Sequence, residues 1–405
     1  MSNSIALENQ FTAQNYRPLP VVLSCGEGVY LWDEAGKRYL DMMSAYSAVS
    51  FGHSHPRLVA ALTRQAGRLA IASRAFHTDQ LGPFLKRLCE LTGQDKALPM
   101  NTGAEAVETA LKAARKWGYK VKAIPDGHAE IIVCADNFAG RTTTIVGFSS
   151  EAQYRDGFGP FAPGFRLVAF ADAAALERAI TPNTAAFIVE PIQGEAGIIV
   201  PPKGYLAECA RICRACNVLF IADEVQTGLG RTGKLLACEH DGVKPDGLIL
   251  AKALGGGLLP VSAFLAKHEV MDVFTPGDHG STFGGNPLGA AVGLEALKVL
   301  VEENLTARAA ELGDYLLGEL RAIVSPLIKE VRGKGLLIGL EVQPGKAREL
   351  CERLLQRGIL SKDTHGAVLR FAPPLIITRQ QIDWAVGELR ASLADMEPTR
   401  RRAIA

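Results

Sequence analysis

The run VLFIADEVQTGLGRTGKLLACEHDGVKPDGLILAK, residues 218–252, decides how the fold is read. It opens on an apolar strand-like segment ending in Asp223 and closes on a second, GLILA, followed by Lys252. Upstream, AAFIVEP (185–191) meets Glu190 in the same way. Short, continuous apolar runs suit strands that are buried on both faces. EIIVCADN (130–137), FRLVAF (165–170) and VSAFLA (261–266) extend the series, with helical stretches between several of them. That alternation predicts an α/β domain with a mostly parallel sheet, and such sheets collect ligands at the carboxyl ends of their strands. Three charged residues at three strand ends therefore predict one cleft.

Outward from this centre, VYLWDEAGKRYLD (29–41) predicts a small hairpin around an Ala-Gly turn, packed with the C-terminal part. Beyond Leu294 the pattern changes to one long amphipathic helix reaching Ile323. Two strand-like runs, LLIGLEV (336–342) and AVLRFAP (367–373), and a last helix from about Arg379 complete a smaller α+β domain. The expected division is 1–45 as an N-terminal segment packing with the small domain, 46–293 as the large domain and 294–405 as the small one.

With 44 basic and 43 acidic residues the formal net charge is +1, which provides no field for gathering nucleic acid or an anionic membrane. Small molecules are the expected partners. The N-terminus lacks a basic start and long apolar run, and no apolar stretch of about 18 residues occurs, so a cytoplasmic protein is expected. Eight cysteines in 405 residues read as reduced thiols.

Several features are decoys. Cys209, Cys213 and Cys216 fall at helical spacing and read as one buried face, not a metal site. Gly228 to Lys234 imitates a nucleotide-binding loop, but Leu235 stands where a magnesium-binding hydroxyl is needed. His53 and His55 suit local hydrogen bonds better than a metal, and Arg400 to Arg402 read as a solvated tail.

Chemistry enters at two places. Thr102 and Glu105 form a capping box, and free amides beside Gly103 at that helix start make a seat for an anion, although most such boxes only cap. Asp223 and Lys252 are the second. A buried lysine loses its proton readily and becomes an amine able to form an imine with an aldehyde cofactor. A neighbouring carboxylate keeps a pyridine nitrogen protonated and the ring electron-poor. On pattern alone, a structural ion pair accounts for these two residues better.

From about Tyr16 to Pro374 the chain resembles the class III (ω-amino acid) aminotransferases, which use pyridoxal 5'-phosphate (PLP). The matching motifs are GHSHP (52–56), NTGAEAVETALKAARKW (101–117), NFAGRT (137–142), VEPIQGEAG (189–197), IADEVQTGLGRTG (221–233), LAKALGGGLLPVSA (250–263), HGSTFGGNPLG (279–289) and RGKGLLIGLE (332–341). The resemblance implies the PLP-dependent transferase fold (fold type I). It implies Lys252 as the Schiff-base lysine and proton carrier, Asp223 on the pyridinium and Gln226 on the ring hydroxyl oxygen. Phe138 and Val225 would cover the ring faces, and the amides of Gly103 and Ala104 would meet the phosphate. Ser281 and Thr282 would complete that phosphate site across a homodimer.

Within the class, Tyr16, Tyr46 and GGGLLPVSA look like the ornithine-type enzymes. By that resemblance Tyr16 and Arg141 would hold the amino-acid end of L-ornithine, leaving its δ-amine at the cofactor. Arg370 would receive 2-oxoglutarate once Glu195, its partner while ornithine is bound, swings away. Glu190 would support Gln226, or simply be a strand-end carboxylate satisfied by amides. Ala139 departs from the bulky aromatic or histidine expected between Phe138 and Gly140, and predicts a wider cleft. The alternatives are an acetylornithine or other ω-amino acid aminotransferase and, on the same scaffold, an isomerase.

Overall fold

The structure is a computed structural model that describes residues 3–397. The Arg400 to Arg402 triplet lies outside the described residues. A seven-stranded sheet forms the centre, in the order Lys96–Met100, Ser262–Ala266, Gly247–Leu250, Leu219–Asp223, Thr184–Val189, Glu130–Cys134, Phe165–Val168. The last five strands pair in parallel, as their apolar runs predict. Every residue of Thr184–Val189 and Leu219–Asp223 is buried, because helices cover both faces of the sheet. Ser262–Ala266 runs antiparallel to both neighbours. The link from Leu250 holds only a single 3₁₀ turn, Lys252–Gly255, and lacks the helical crossover that a parallel return requires.

Parallel register sets the strand ends level. Asp223 pairs with Ile249 and Val189 with Ala222, so Glu190, Asp223 and Lys252 emerge side by side at one edge. The helix Gly103–Lys120 starts beside the same edge. Its capping box is complete, with the Glu105 N–H donating to Thr102 Oγ1 (3.2 Å) and the Thr102 N–H to Glu105 Oε2 (2.7 Å). Val107, Ala110, Leu111 and Ala114 form its buried stripe.

The expected hairpin, Tyr30–Asp33 with Arg38–Asp41, belongs to a four-stranded sheet. Leu23–Glu27 adds one edge, and Ile359–Leu360 pairs in parallel with Arg38–Asp41 on the other. A third sheet has the order Ile328–Lys334, Leu337–Val342, Val368–Phe371, Lys362–Thr364. Its strand Ile328–Lys334 escaped the sequence because IKEVRGK is a charged, half-exposed edge with no apolar alternation.

Other expectations need correction. The single long helix is two, Pro287–Glu302 and Leu305–Arg321, broken where Asn304 takes the left-handed conformation (φ 52°). The pattern change expected at Leu294 thus falls inside the first helix. Cys209 and Cys213 are buried on Tyr205–Ala215, but Cys216 is exposed because the helix ends at Ala215. The nucleotide-loop mimic serves packing: a Cβ on Gly233 would stand 2.8 Å from Ala310 Cα, so this glycine lets the loop close on Leu305–Arg321. His53 and His55 turn to separate carboxylates, Asp41 (2.8 Å) and Glu303 (3.2 Å). Among the described residues no helix is long and apolar enough to cross a membrane.

Candidate active site

At the shared strand edge lies a cavity of about 480 Å³. Of the residues singled out in the sequence, Gly103, Ala104, Phe138, Glu190, Glu195, Asp223, Val225, Gln226 and Lys252 all line it. Lys252 holds φ at 48°, a conformation that L side chains seldom adopt and that persists where surrounding structure enforces it. Burial drops its pKa from 10.5 to about 8, with Glu195 and Asp223 resisting the fall. Roughly a tenth of the side chain is then a neutral amine at pH 7.

Asp223 accepts from the Val225 N–H at 3.1 Å, and desolvation raises its pKa to about 6. Glu190 is pushed further, to about 8, by burial and by Asp223. Its two oxygens accept from the Phe138 N–H (2.9 Å) and the Gly194 N–H (3.3 Å), the amide-satisfied arrangement weighed from the sequence. Gly194 was not anticipated. A Cβ there would fall 1.6 Å from Gln226 Oε1, so only glycine admits the Gln226 amide.

These residues fit PLP. Gln226 Oε1 is buried without a hydrogen-bond partner among the described residues, an acceptor suited to a ring hydroxyl. The first-turn amides of Gly103 and Ala104 have no carbonyl one turn earlier to bond, and suit a phosphate. An ideal Cβ on Gly103 would press on Val225 at 3.2 Å, so glycine keeps that approach open. Asp223 stands as the buried carboxylate that a protonated pyridine nitrogen needs.

A second group borders the cavity. Arg370, 5 % exposed, donates from Nη1 to Glu195 Oε1 at 2.5 Å. Gln226 Nε2 reaches the same oxygen at 3.4 Å. The guanidinium carbon of Arg370 lies 4.9 Å from the centre of the Tyr46 ring. Burial raises the Tyr46 pKa, Arg370 opposes it, and Tyr16 lies near enough to add to it. Tyr46 belongs to a turn, Ser44–Ser47, whose four residues all have positive φ. Left-handed helical geometry costs about 1–2 kcal/mol per L-residue.

The remaining singled-out residues lie in the cavity wall, near it or beyond it. Tyr16 is 78 % exposed. Arg141 is exposed too, with its guanidinium 3.6 Å from the centre of the Tyr154 ring and 5.4 Å from that of Phe138. Tyr154 was not singled out, since a tyrosine in the short helix Ala152–Arg155 carries no motif. Ala139 lines the cavity and offers no ring to narrow it. Ser281 and Thr282 line a different depression, with Arg74 and Met100, although Ser281 Oγ accepts from Asn101 Nδ2 at 2.9 Å.

Comparison with known proteins agrees with this geometry. The family described as aminotransferase class-III matches residues 11–393. An ornithine aminotransferase of Geobacillus sp. (strain WCH70) is 56% identical over 390 residues, covering 96% of this chain and 98% of the relative. Among solved structures, the ornithine aminotransferase of Toxoplasma gondii, with PLP at partial occupancy in its active site, superposes with a TM-score of 0.95 at 48% identity, covering 97% and 93% of the two chains. An acetylornithine aminotransferase from Elizabethkingia anophelis, also 48% identical, gives 0.89 and covers 97% and 98%. A matching family over nearly the whole length and a cavity built for its cofactor lead to one conclusion: the chain belongs to the class-III, PLP-dependent aminotransferases.

Proposed function

We propose that this protein transfers the δ-amine of L-ornithine to 2-oxoglutarate, yielding glutamate-5-semialdehyde and L-glutamate in two half-reactions at one site. The observation that carries this reading is the pairing of Arg370 with Glu195 beside Lys252. A site that accepts both an ω-amine and an α-oxoacid needs a positive charge that can be masked, and Glu195 masks Arg370. PLP, when bound, supplies an electron sink for the carbanion left by deprotonation at the amine-bearing carbon.

The chain's own groups do the rest. Asp223, buried in the cavity wall, would be the carboxylate that keeps a proton on the pyridine nitrogen of a bound cofactor. Lys252 Nζ takes the proton from the δ-carbon of ornithine and, within the same half-reaction, would give it up to the carbon that a bound cofactor presents. The return half-reaction runs the two transfers backwards and ends with Lys252 Nζ protonating the α-carbon of glutamate, a role suited to a pKa of about 8. Glu195 holds Arg370 while methylenes occupy that region, and yields it to the α-carboxylate of 2-oxoglutarate. Arg141 presents its N–H edge to the ornithine carboxylate because Tyr154 occupies its face, and the Tyr16 phenol accepts from the α-ammonium.

We further infer a homodimer, in which the exposed Thr282, with the half-buried Ser281 beside it, serves the partner's phosphate site. Eight free cysteines suit a reducing cytoplasm, and the reaction belongs to arginine and proline metabolism. The divisions 1–45, 46–293 and 294–405 are retained as part of this proposal, with the helix Pro287–Glu302 running across the second boundary. The pairing of Arg38–Asp41 with Ile359–Leu360 supports joining the first to the third.

Acetylornithine or another ω-amine is the second reading, favoured by the open wall at Ala139. A half-reaction panel with ornithine, acetylornithine, 4-aminobutyrate and lysine, followed by cofactor bleaching, separates the two. Fastest bleaching by ornithine is expected, and a preference for acetylornithine overturns the assignment.

A further inference from the structure

Ser44, Ala45, Tyr46 and Ser47 hold φ of 43°, 47°, 60° and 74°, and none is glycine. Each Cβ crowds the following carbonyl, so the run persists only if neighbouring structure enforces it. The enforcement lies beneath it. Asp41 Oδ1 accepts the N–H groups of Met43 and Ser44, both at 2.8 Å. Ser44 Oγ donates to the Ala372 carbonyl at 2.5 Å and accepts from Arg231 Nη2 at 3.2 Å. The same nitrogen donates to Ser50 Oγ at 3.0 Å, and that hydroxyl donates to the Ser47 carbonyl at 3.0 Å. One guanidinium nitrogen thus reaches both ends of the turn.

The other terminal nitrogen faces the C-terminal part. Arg231 Nη1 donates to the carbonyls of Leu336 (3.0 Å) and Pro373 (2.6 Å). Pro373 lies three residues beyond Arg370. Two backbone bonds join the same segments, from the Ala372 N–H to the Met42 carbonyl (2.7 Å) and from the Leu375 N–H to the Ser50 carbonyl (2.8 Å).

Arg231 is 0 % exposed, and among the described residues it forms no ion pair and its Nε has no hydrogen-bond partner. Burial lowers its pKa to about 9, which leaves it charged at neutral pH, and Asp41 is the carboxylate that favours the charge. Asp41 Oδ2 is itself taken by His53 Nε2 at 2.8 Å. For cohesion alone, an apolar side chain of the same volume holds a core as well as a buried, unpaired cation or better. What an apolar side chain does not do is fix a disfavoured backbone at two points while gripping a second segment.

We propose that Arg231, Ser44 and Asp41 form a buried clamp that sets substrate discrimination by holding Tyr46 against Arg370. They are positioning residues that touch no substrate. With the clamp intact the Tyr46 ring stays near Arg370, and the N–H edge of the guanidinium is left to Glu195 or an incoming carboxylate. With it weakened, the turn relaxes toward right-handed geometry and Tyr46 withdraws. Arg370 then moves more freely, and the site separates ω-amines from α-carboxylates less sharply. This rests on reading Arg370 and Tyr46 as substrate-recognising groups.

The test uses the PLP-loaded full chain with Ser44→Ala, Arg231→Lys and Arg231→Met, beside Tyr46→Ala and Arg370→Ala as controls. Single-turnover half-reactions with L-ornithine and with L-glutamate are measured separately, together with melting temperature and a crystal structure of Ser44→Ala. The expected result is a shift of about fivefold or more in the ornithine-to-glutamate ratio of kcat/KM, carried mainly by KM. In the crystal, φ at 44–47 changes and Tyr46 leaves Arg370. Should the Arg231 variants fail to fold, Ser44→Ala decides alone, since it removes one hydroxyl and no charge. An unchanged ratio with an unchanged turn overturns the inference. So does an equal loss in both half-reactions with a lower melting temperature, the mark of a merely structural role. If the two control variants leave the ratio unmoved, the reading of Tyr46 and Arg370 fails instead, and the turn seen in Ser44→Ala still decides whether the clamp exists.

Discussion

Glu195 Oε1 and Arg370 Nη1 lie 2.5 Å apart, although 175 residues separate them in the chain. The carboxylate also reaches Gln226 and feels Lys252, so the pair is wired into the cofactor pocket. Glu195→Ala leaves a buried guanidinium without its counter-ion, which costs stability on the order of 3–5 kcal/mol. The same variant gains for glutamate relative to ornithine, by roughly tenfold in kcat/KM. Half-reaction kinetics beside thermal melts check both, and an unchanged preference would argue against a masking role.

Lys252→Ala is expected to lower turnover by more than about 10³-fold while PLP still binds loosely. Borohydride treatment followed by peptide mapping locates the covalent attachment, and a tag on any other residue would contradict the assignment. In the native apoprotein, the rate of cofactor capture should rise with pH and level off above about 8. Raising the pH removes the proton that makes Lys252 unreactive, and burial places that step near 8. Stopped-flow absorbance between pH 6 and pH 9.5 tests this, and a flat profile would refute it.

Asp223→Asn should abolish transamination yet stabilise the apoprotein. The folded pKa, about 6, lies above the ordinary 3.8, so the folded state binds this proton more tightly than the unfolded chain. Stability tied to Asp223 is therefore present below 3.8 and lost as pH rises through 6. Asparagine removes that penalty at pH 8, while Lys252 loses a counter-charge, leaving a net gain between about 1 and 3 kcal/mol. Urea denaturation of both apoproteins at pH 8 decides it; a less stable variant would show that the carboxylate is not strained by burial.

Tyr154→Leu should raise KM for ornithine by about tenfold and leave the 2-oxoglutarate half-reaction within about twofold, because Arg141 loses the ring that holds its face. Tyr154→Phe keeps the ring and should behave as wild type. Equal losses in both half-reactions, or a defect in the Phe variant, would remove the positioning role.

The sequence by itself determined six of the seven strands of the central sheet, the charged strand ends and the helix that begins beside them; the edge strand Lys96–Met100, short and interrupted by Pro99, went unread. Apolar runs closed by Glu190, Asp223 and Lys252 place their charges at one edge because parallel strands share a direction, and that follows from order along the chain. The Thr102–Glu105 box is local and was equally legible. Apart from Glu195 with Arg370, a pair that the resemblance implied, tertiary structure alone decided which residues meet across long separations. Nothing in the tetrapeptide Ser44-Ala45-Tyr46-Ser47, which lacks glycine, announces a left-handed turn, since that conformation is imposed by Asp41 and by Arg231, nearly two hundred residues away. Nor does local pattern mark Gly194 as the glycine that admits Gln226, or Tyr154 as the ring beneath Arg141. Periodicity reports which face of an element is buried; it does not report what the other element brings to meet it.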